Sequence, residues 1–471
     1  MKSVELKNVT FSYNNAKPVI ENANFYANYG EICLVAGYSG NGKSTILSML
    51  CGIIPNVVSG NLSGDILVNE KSIIGKKMGE ICRSVGMVLQ NADEQIVNKI
   101  VEDEIAFGLE NFAYKEDAIS KQIDIVCNLM QLNKRDQTKS LSGGQKQRLI
   151  TASTIAMGQK IILFDEPLAN LDKQSAKMLM DILKLLKGEG YSIIIVEHRL
   201  DVVLPYVDVV WNVENKKVEK VDNKLDYLNM QSKKIQDTAI NKNFTSPLFT
   251  FENVSYKVKD KTILQDVSFT IKKHARTVIL GENGSGKTTL ISLIAGLKKA
   301  TDGKFTQYVD STIKKRAGKK WFKKVGAVYQ NPDYQLFMPT VQKELEFGAT
   351  SKEYALEIAK VFGLEDILNR HPQSLSEGQK RRVSIASVVA TKPEVLLLDE
   401  PTVGQDYNGL QQLIEIINDL NRNKNMSIIT VTHDIRCCKA LTDNALLFNA
   451  GKLVKSGGKE LVDEYFRDIK N

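Results

Sequence analysis

A series of short phrases occurs twice in this chain, and this duplication constrains the fold more than any other feature. The pairs are GYSGNGKST (37–45) with GENGSGKTT (281–289), VGMVLQNADEQ (85–95) with VGAVYQNPDYQ (325–335), LSGGQ (141–145) with LSEGQ (375–379), IILFDEP (161–167) with VLLLDEP (395–401), and IIIVEHR (193–199) with IITVTHD (428–434). Their order is identical, and the offsets stay between 234 and 244 residues. The sequence therefore predicts one domain encoded twice, over residues 1–229 and 248–471, with a polar linker at 230–247.

Within each half, short apolar runs alternate with segments that have helical spacing. In the first half the runs EICLVAG (31–37), IILFDEP (161–167) and SIIIVEH (192–198) have the length and composition of buried strands. A glycine-rich turn and the helical pattern STILSMLCGI follow the first of them. Buried strands that alternate with helices predict an α/β fold with a mainly parallel sheet in each domain.

The composition is that of an ordinary globular protein, with 43% hydrophobic and 25% charged residues. The net charge of +8 is spread over 471 residues. We therefore expect no nucleic acid partner, although weak attraction to an anionic membrane surface would fit. Six cysteines without metal-ligand spacing indicate reduced thiols. Because no apolar run approaches the ~18 residues of a membrane-spanning helix, a role at a membrane would require a partner.

Two glycine-rich loops predict phosphate-binding sites. Residues 37–44 and 281–288 both fit the pattern G-x-x-x-x-G-K-[ST], and each lies between a predicted strand and a predicted helix. The glycines let backbone N–H groups face a phosphate at the helix N-terminus, the lysine adds a positive charge, and the Ser or Thr hydroxyl is a ligand for Mg²⁺. The predicted residues are Gly37, Tyr38, Ser39, Gly40, Asn41, Gly42, Lys43, Ser44 and Thr45 in the first half, and Gly281, Glu282, Asn283, Gly284, Ser285, Gly286, Lys287, Thr288 and Thr289 in the second.

An Asp-Glu pair ends a predicted strand in each half, at residues 165–166 and 399–400. The aspartate of each pair can hold Mg²⁺ through water, and the glutamate can orient or deprotonate an attacking water. His198 and His433 follow another strand end at equivalent places in the two halves. The candidate catalytic residues are therefore Glu166, Glu400, His198 and His433.

These motifs together resemble the nucleotide-binding subunits of ABC transporters, over nearly the whole chain and twice over. The phrase LSGGQ distinguishes this family from other P-loop enzymes, many of which share the other motifs and lack it. The resemblance implies two tandem P-loop NTPase domains, each with a mainly parallel sheet core, an antiparallel β subdomain and a helical subdomain. It also implies ATP and Mg²⁺ as cofactors. Each ATP would contact the P-loop of one half and the LSGGQ-type phrase of the other half.

The resemblance assigns further roles to individual residues. It implies that Gln90 and Gln330 are Q-loop glutamines, that His198 and His433 are switch histidines, and that Asp172 and Asp406 close the D-loops. The implied metal ligands are Ser44, Gln90, Asp165, Thr288, Gln330 and Asp399. Outside the P-loops, the implied ATP-binding residues are Tyr13, Ser142, Gly143, Gly144, Gln145, Ser376, Gly378 and Gln379.

A narrower resemblance follows the two Q-loops. The segments QNADEQIVNKIVEDEIAFGLEN (90–111) and QNPDYQLFMPTVQKELEFG (330–348) look like the ATPases of energy-coupling-factor importers, which take up vitamins and trace metals in prokaryotes. In that family the segment forms part of a groove for a helix of the membrane coupling protein. The resemblance implies an integral membrane coupling subunit and a substrate-binding membrane subunit as partners, and a peripheral location at the cytoplasmic face of the cell membrane. The alternative is an ordinary face of the helical subdomain.

Two other functions remain open at the level of the sequence. One is the fused ATPase of a sugar-type importer, although such proteins tend to lose catalytic residues in one half, and both Glu166 and Glu400 are present here. The other is a soluble twin ATPase that acts on ribosomes or DNA. Relatives of that kind carry a long charged helical linker, zinc-binding cysteines or coiled coils, and this sequence has none of these patterns.

The second half departs from the family pattern at two places. In the second half, Val258 aligns with the adenine-stacking Tyr13, with Tyr256 two residues earlier on the same strand face. Glu377 replaces the first glycine of the LSGGQ phrase, where it would open a helix capped by Ser376 and be favoured by the helix dipole. Because LSEGQ would complete the site that contains Lys43, each composite site has one departure. We expect two hydrolysis-competent but unequal sites.

Overall fold

The computed structural model describes residues 1–14, 16–38, 40–169, 171–227, 246–309, 312–314 and 319–467. Residues 230–245 of the predicted linker lie outside these ranges, as does the predicted phosphate-binding residue Ser39. The chain divides into two compact units, Met1–Ser232 and Lys233–Asn471, which we call unit 1 and unit 2. Each unit contains one copy of every repeated phrase.

Unit 1 combines a four-stranded antiparallel sheet with a six-stranded, mainly parallel sheet. The strands are β1 (Lys2–Tyr13), β2 (Ile20–Asn28), β3 (Ile32–Gly37), β4 (Gly60–Val68), β5 (Lys71–Ser72), β6 (Val85–Val88), β7 (Ile161–Asp165), β8 (Ser192–Val196), β9 (Val209–Glu214) and β10 (Lys217–Lys220). The first sheet has the order β2-β1-β4-β5, and the second has the order β10-β9-β3-β8-β7-β6. Strands β9, β3, β8, β7 and β6 run parallel, and β10 pairs antiparallel with β9 at the edge.

The helices of unit 1 pack on both faces of the parallel sheet. They are α1 (Lys43–Leu50), α2 (Ile53–Asn56), α3 (Met78–Ile81), α4 (Ala92–Gln95), α5 (Val101–Asn111), α6 (Glu116–Met130), α7 (Gly143–Ala156), α8 (Lys173–Gly188) and α9 (Leu200–Val203). One hydrophobic core joins the sheet to α5–α9, and the other joins it to α1 and the antiparallel sheet. Helices α4–α7 lie between β6 and β7 and form the predicted helical subdomain.

Unit 2 repeats this architecture. Its strands are β11 (Pro247–Val258), β12 (Lys261–Lys272), β13 (Arg276–Leu280), β14 (Asp302–Val309), β15 (Thr312–Lys314), β16 (Val325–Val328), β17 (Val395–Asp399), β18 (Ser427–Val431), β19 (Asn444–Asn449) and β20 (Lys452–Gly457). They form sheets of the order β12-β11-β14-β15 and β16-β17-β18-β13-β19-β20. The helices are α10 (Lys287–Ile294), α11 (Lys319–Phe322), α12 (Val341–Glu346), α13 (Lys352–Val361), α14 (Glu377–Ala390), α15 (Tyr407–Asn423), α16 (Ile435–Ala440) and α17 (Lys459–Arg467).

The predicted strands and the predicted α/β fold class are confirmed. The runs at 31–37, 161–167 and 192–198 contain β3, β7 and β8, and all five residues of β8 are buried. Because a parallel sheet is covered on both faces, its strands need continuous apolar runs rather than alternation. The same order of strands places the loops after β3, β7 and β8 at one edge of the sheet, where the predicted site residues lie. None of the described helices is long and apolar enough to cross a membrane.

Candidate functional site

The P-loop of each unit connects a strand of the parallel sheet to a helix through a left-handed turn. It joins β3 to α1 in unit 1 and β13 to α10 in unit 2. Gly42 immediately precedes α1 with φ +95°, and Gly286 precedes α10 with φ +97°. At Gly37, a Cβ atom would lie 2.3 Å from the carbonyl oxygen of Val213, so a side chain there would collide with β9. These glycines are therefore required by the backbone path, which leads into a helix N-terminus, where the first N–H groups have no acceptor within the helix.

The P-loop lysines are buried inside their own loops. The Nζ atom of Lys43 donates to the carbonyl oxygen of Tyr38 at 3.0 Å. In unit 2 the Nζ atom of Lys287 donates to the carbonyl oxygens of Gly281 and Glu282 at 2.8 and 2.7 Å. Each loop thus places an ammonium group beside the N-terminus of a helix, and the two positive features together suit a polyphosphate.

A hydroxyl and a carboxylate meet beside each P-loop. The Oγ atom of Ser44 donates to Oδ1 of Asp165 at 3.2 Å, and the side chain of Thr288 makes the equivalent hydrogen bond to Asp399. Burial raises the pKa of Asp165 to about 6, and the neighbouring charge of Glu166 adds to this effect. Burial also raises the pKa of Asp399. Hydroxyl and carboxylate oxygens are ligands that Mg²⁺ accepts, so the residues present fit this ion.

In unit 1, Glu166 lies between the predicted Q-loop glutamine, Gln90, and the predicted switch histidine, His198. Its Oε2 atom accepts a hydrogen bond from Nε2 of Gln90 at 3.0 Å, and its Oε1 atom lies 3.2 Å from Nε2 of His198. Burial acts to raise the pKa of Glu166, but the charges of His198 and Lys43 outweigh it and lower the pKa below its ordinary value. A carboxylate with a lowered pKa is a weak base, so this geometry suits the orientation of a water better than its deprotonation.

In unit 2, the equivalent histidine has an additional partner. The Nε2 atom of His433 lies 3.6 Å from Oε1 of Glu400 and 3.2 Å from Oδ1 of Asn283, which belongs to the P-loop. The backbone N–H of His433 donates to Oε2 of Glu400 at 3.2 Å. The structure therefore brings the predicted switch histidine and the predicted catalytic glutamate together in both units, although with different geometry.

The helices that begin within the LSGGQ and LSEGQ phrases, α7 and α14, which we call the signature helices, each begin with a capping box; the sequence predicts the cap by Ser376. In α7, Ser142 and Gln145 exchange the two reciprocal hydrogen bonds, at 3.3 and 2.9 Å. In α14, Ser376 and Gln379 do the same at 3.4 and 3.1 Å. Glu377 therefore occupies the first turn of a helix, as the sequence predicts, and the replacement of a glycine there leaves the helix start unchanged.

The second glycine of each phrase has a packing role within its own unit. A Cβ atom at Gly378 would lie 2.5 Å from the carbonyl oxygen of Gly404, and one at Gly144 would lie 2.8 Å from Oγ of Ser175. The side chain of Glu377 packs against the same Gly404. The first turn of each signature helix is therefore in close contact with the start of the next long helix. That helix is α8, capped by Asp172, in unit 1 and α15, capped by Asp406, in unit 2.

The aromatic residues proposed to meet adenine differ between the units. In unit 1, the hydroxyl of Tyr13 is 2.9 Å from Oγ1 of Thr45, so this ring lies beside the P-loop helix. In unit 2, Val258 is exposed. Tyr256 is partly buried against the core of the antiparallel sheet, with Nζ of Lys298 at 5.3 Å from its ring centroid.

Sequence reasoning missed the residues that position the Q-loops. Gln95 accepts from the N–H of Leu89 at 3.0 Å and donates to the carbonyl of Met87 at 2.8 Å, and Gln335 makes the same two bonds to Tyr329 and Ala327. Salt bridges then join each Q-loop turn to its signature helix, from Asp93 to Lys146 at 2.6 Å and from Asp333 to Lys380 at 2.8 Å. The signal was available, because the phrase QNxxxQ occurs in both halves.

A buried arginine makes this connection different in unit 2. The guanidinium of Arg381 on α14 donates to the carbonyl oxygens of Tyr329 and Gln330. In unit 1 the equivalent residue is Gln147, which makes one bond of 3.4 Å to the carbonyl of Leu89. The carbonyl of the proposed metal ligand Gln330 is thus held by a charged group that has no counterpart at Gln147.

Two further residues that the sequence did not indicate, Glu197 and Arg199, join the loop after β8 to the D-loop of unit 1. The buried carboxylate of Glu197 accepts from the N–H groups of Leu168, His198 and Arg199. Arg199 donates back to the carbonyl oxygens of Leu168 and Leu171, at 3.1 and 2.8 Å. In unit 2 the residue at the position of Glu197 is a threonine, so this clamp belongs to unit 1.

Comparisons with known proteins agree with the family that this geometry indicates. The family model described as ABC transporter matches residues 20–169 and 264–403. A protein of Saccharolobus solfataricus, named as a candidate ABC transporter ATP-binding protein, is 32% identical over 98% of this chain and 95% of its own length. A Bacillus subtilis protein, named as a candidate HMP/thiamine import ATP-binding protein, is 30% identical over 96% of this chain and 91% of its own length.

Solved structures show the same tandem fold. An archaeal ribosome recycling factor, solved with a ribosomal stalk protein, is 20% identical with a TM-score of 0.66, over 95% of this chain and 90% of its own. A ribosome-bound ABCE1 matches with a TM-score of 0.71 at 20% identity, over 98% of this chain and 81% of its own. The chain belongs to the ABC transporter ATP-binding family. It is an ATPase with two ABC domains in tandem.

Proposed function

We propose that this chain is the ATP-hydrolysing subunit of a prokaryotic importer of the energy-coupling-factor type, which drives uptake of a vitamin, another micronutrient or a metal ion. The relative named for HMP/thiamine import supports this direction of transport. In this proposal the chain works at the cytoplasmic face of the cell membrane. Its partners are an integral membrane coupling subunit and a substrate-binding membrane subunit, and its domains at 1–229 and 248–471 pair head to tail.

The observation that carries the proposal is an exposed apolar patch that occurs after the Q-loop in both units. In unit 2 it consists of Phe337 and Phe347, whose side chains are 63% and 65% exposed and whose ring centroids are 5.1 Å apart. In unit 1 the equivalent residues are Val97 and Phe107, which are 69% and 46% exposed. An exposed aromatic pair on a positioned loop is a suitable surface for the apolar face of a partner helix.

A buried glutamate holds each of these patches in place. Oε2 of Glu344 accepts from the backbone N–H groups of Phe337 and Met338, at 3.0 and 2.7 Å. Oε2 of Glu104 accepts from the equivalent N–H groups of Val97 and Asn98 in unit 1. Because the same device fixes the loop in both units, the exposed side chains are presented in a defined position, as a docking surface requires.

The ATP sites follow from the geometry of each unit. The P-loop lysine and the helix N-terminus would bind the phosphates, and Ser44 with Asp165, or Thr288 with Asp399, would hold Mg²⁺ together with the Q-loop glutamine. When bound, the ion neutralises charge on the phosphates. Glu166 and Glu400 would orient the attacking water, and His198 and His433 would hold these glutamates in position. Since Gln90 contacts Glu166 and begins the loop that carries the patch, the nucleotide state can reach the partner helix.

Co-purification from the cells that make this protein tests the proposal. We expect the tagged chain to capture an integral membrane protein from detergent-solubilised membranes, and Phe337→Ser with Phe347→Ser to reduce this capture at unchanged basal ATPase rate. Val454→Ser is the matched control, because Val454 is 60% exposed on β20 of the same unit and lies outside the patch.

The competing function is that of a twin ATPase acting on ribosomes, whose solved representatives share this fold. Capture of ribosomal subunits without any integral membrane protein, unaffected by the phenylalanine substitutions, would establish that function and remove the importer proposal. A sugar-type importer ATPase is distinguished by the identity of the captured membrane partners.

A further inference from the structure

A cavity of about 510 Å³ lies in unit 2 at the edge of the parallel sheet opposite to the P-loop. The residues that line it include Lys273, His274, Lys392, Glu394, Lys424 and Asn425. They come from the turns that immediately precede β13, β17 and β18, which are adjacent strands. The P-loop and Asp399 follow the carboxyl ends of the same strands, so the cavity is separate from the ATP site.

Three of the lining residues have an unusual backbone conformation. His274, Lys392 and Asn425 have φ values of +63°, +53° and +52°. Asparagine and histidine enter this left-handed region more often than most residues that have a Cβ atom, whereas lysine does so rarely. Strained positions of this kind occur often at functional sites, so the lysine among these three residues is the one that most suggests a function.

In unit 1, glycine occupies the equivalent position of each of these three turns. The equivalent residues in unit 1 are Gly30, Gly158 and Gly190, with φ values of +71°, +81° and +80°. The turns are otherwise alike: Gly158 N–H bonds the carbonyl of Ile155 at 3.0 Å, as Lys392 N–H bonds that of Val389. Unit 2 therefore carries a side chain at three turns where unit 1 has glycine, and all three line the same cavity.

The charges around the cavity favour an anion. Lys273, Lys392 and Lys424 replace Tyr29, Gly158 and Glu189 of unit 1. Nζ of Lys392 and Nζ of Lys424 lie 4.1 and 5.9 Å from the centroid of the same ring, that of Tyr354 on α13.

One carboxylate offsets part of this positive charge, because Glu357 lies 3.4 Å from Nζ of Lys424. Glu394 also lines the cavity, and it is paired at 2.7 Å with Lys324, which lies outside the lining. The lysines of the lining outnumber its one carboxylate, so the cavity would attract a negatively charged ligand.

We propose that this cavity is a binding site for a small phosphorylated anion, separate from the two ATP sites and confined to unit 2. Ammonium groups bind phosphate oxygens as point charges, and a cavity of this volume is in the range of small-molecule sites. The proposal does not depend on the transport function, because it rests on residues outside both P-loops and both patches.

Equilibrium dialysis with labelled inorganic pyrophosphate tests the site in the full chain carrying Lys43→Ala and Lys287→Ala, which remove the P-loop charges. We expect one bound pyrophosphate per chain. Lys392→Gly restores the residue of unit 1 and relieves the backbone, so it should weaken binding by about fivefold to tenfold without loss of thermal stability. Lys424→Gln should weaken binding by a similar factor.

Lys160→Gln is the matched control, because Nζ of Lys160 lies 3.9 Å from the ring centroid of Tyr191 at the same sheet edge of unit 1. This change should leave pyrophosphate binding unaltered. Absence of binding to the parent chain, or binding that is insensitive to both Lys392→Gly and Lys424→Gln, would overturn the proposal. Sedimentation with anionic phospholipid vesicles, lost in Lys392→Gly but without pyrophosphate binding, would also overturn it and identify a lipid headgroup as the ligand.

Discussion

Asp165 ends β7, and its carboxylate lies next to that of Glu166. A buried residue of this kind can lower the stability of the fold and still be needed at a binding site. Burial and the neighbouring charge raise the pKa of Asp165 from 3.8 to about 6. The hydrogen bond from Ser44 acts in the opposite direction and does not offset them. The ionised form that Mg²⁺ requires is therefore the form that the folded protein disfavours.

This imbalance predicts the effect of Asp165→Asn on stability. In the wild type, the folded state binds more protons than the unfolded state between about pH 4 and pH 6, so the free energy of unfolding falls as the pH rises through this window. Asparagine does not ionise, so the variant avoids this fall in the free energy of unfolding. We expect it to be more stable than the wild type at pH 7.5 by on the order of 1–3 kcal/mol. Urea unfolding without Mg²⁺ at pH 4.5 and pH 7.5 measures the difference, and an advantage that does not grow with pH would contradict the prediction.

Among the elements, the loops after the Q-loop glutamines depend on one buried acid each. Glu344 is 3% exposed on α12, and its carboxylate holds two consecutive N–H groups of the loop that carries Phe337. The signature helix α14 approaches the same region through Lys380 and Arg381. Loop, helix and Q-loop strand therefore form one connected element, which is the property that a transmission segment needs.

We predict that Glu344→Ala loosens this element. Two backbone N–H groups would lose a charged acceptor, at a cost of about 2–4 kcal/mol for the pair. Hydrogen exchange should become faster at residues 337 and 338. Glu346→Ala is the control, because Glu346 lies on the same helix and its carboxylate accepts a hydrogen bond from the side chain of Gln342, not from the loop. Equal exchange rates in the two variants would show that Glu344 does not position the loop.

For the whole molecule, the two ATPase units share one fold and differ in the contacts around their sites. Unit 1 has the clamp of Glu197 and Arg199. Unit 2 has Arg381 on the carbonyl of Gln330 and the contact of His433 with Asn283. Differences of this kind change the position of the catalytic groups by small amounts, to which rates are sensitive.

We therefore predict two active but unequal sites. Glu166→Gln and Glu400→Gln, measured separately, should each lower the steady-state ATPase rate and leave different residual rates. Equal residual rates would remove the predicted asymmetry, and an unchanged rate in one variant would show that its site is silent. The double variant provides the baseline.

The repeated phrases by themselves predicted the two α/β domains, the buried strands that carry the motifs, the P-loops and the helix cap at Ser376, because each of these depends on residues close together in the sequence. The sequence named the Asp-Glu pairs and the histidines as separate candidates, and they lie close together because the carboxyl ends of parallel strands share one edge. The bonds from Glu104 and Glu344 to their loops and the position of Arg381 depended on how separate elements pack.

The cavity lined by lysines in unit 2 shows most clearly what the sequence alone could not predict. Lys273, Lys392 and Lys424 are far apart in the chain, and no local pattern connects them. Only the order of β17, β18 and β13 in the sheet brings their turns together, and only the backbone angles show that side chains stand where unit 1 has glycine. Local motifs record chemistry that neighbouring residues perform, whereas a site made by three strand ends exists only once the sheet has formed.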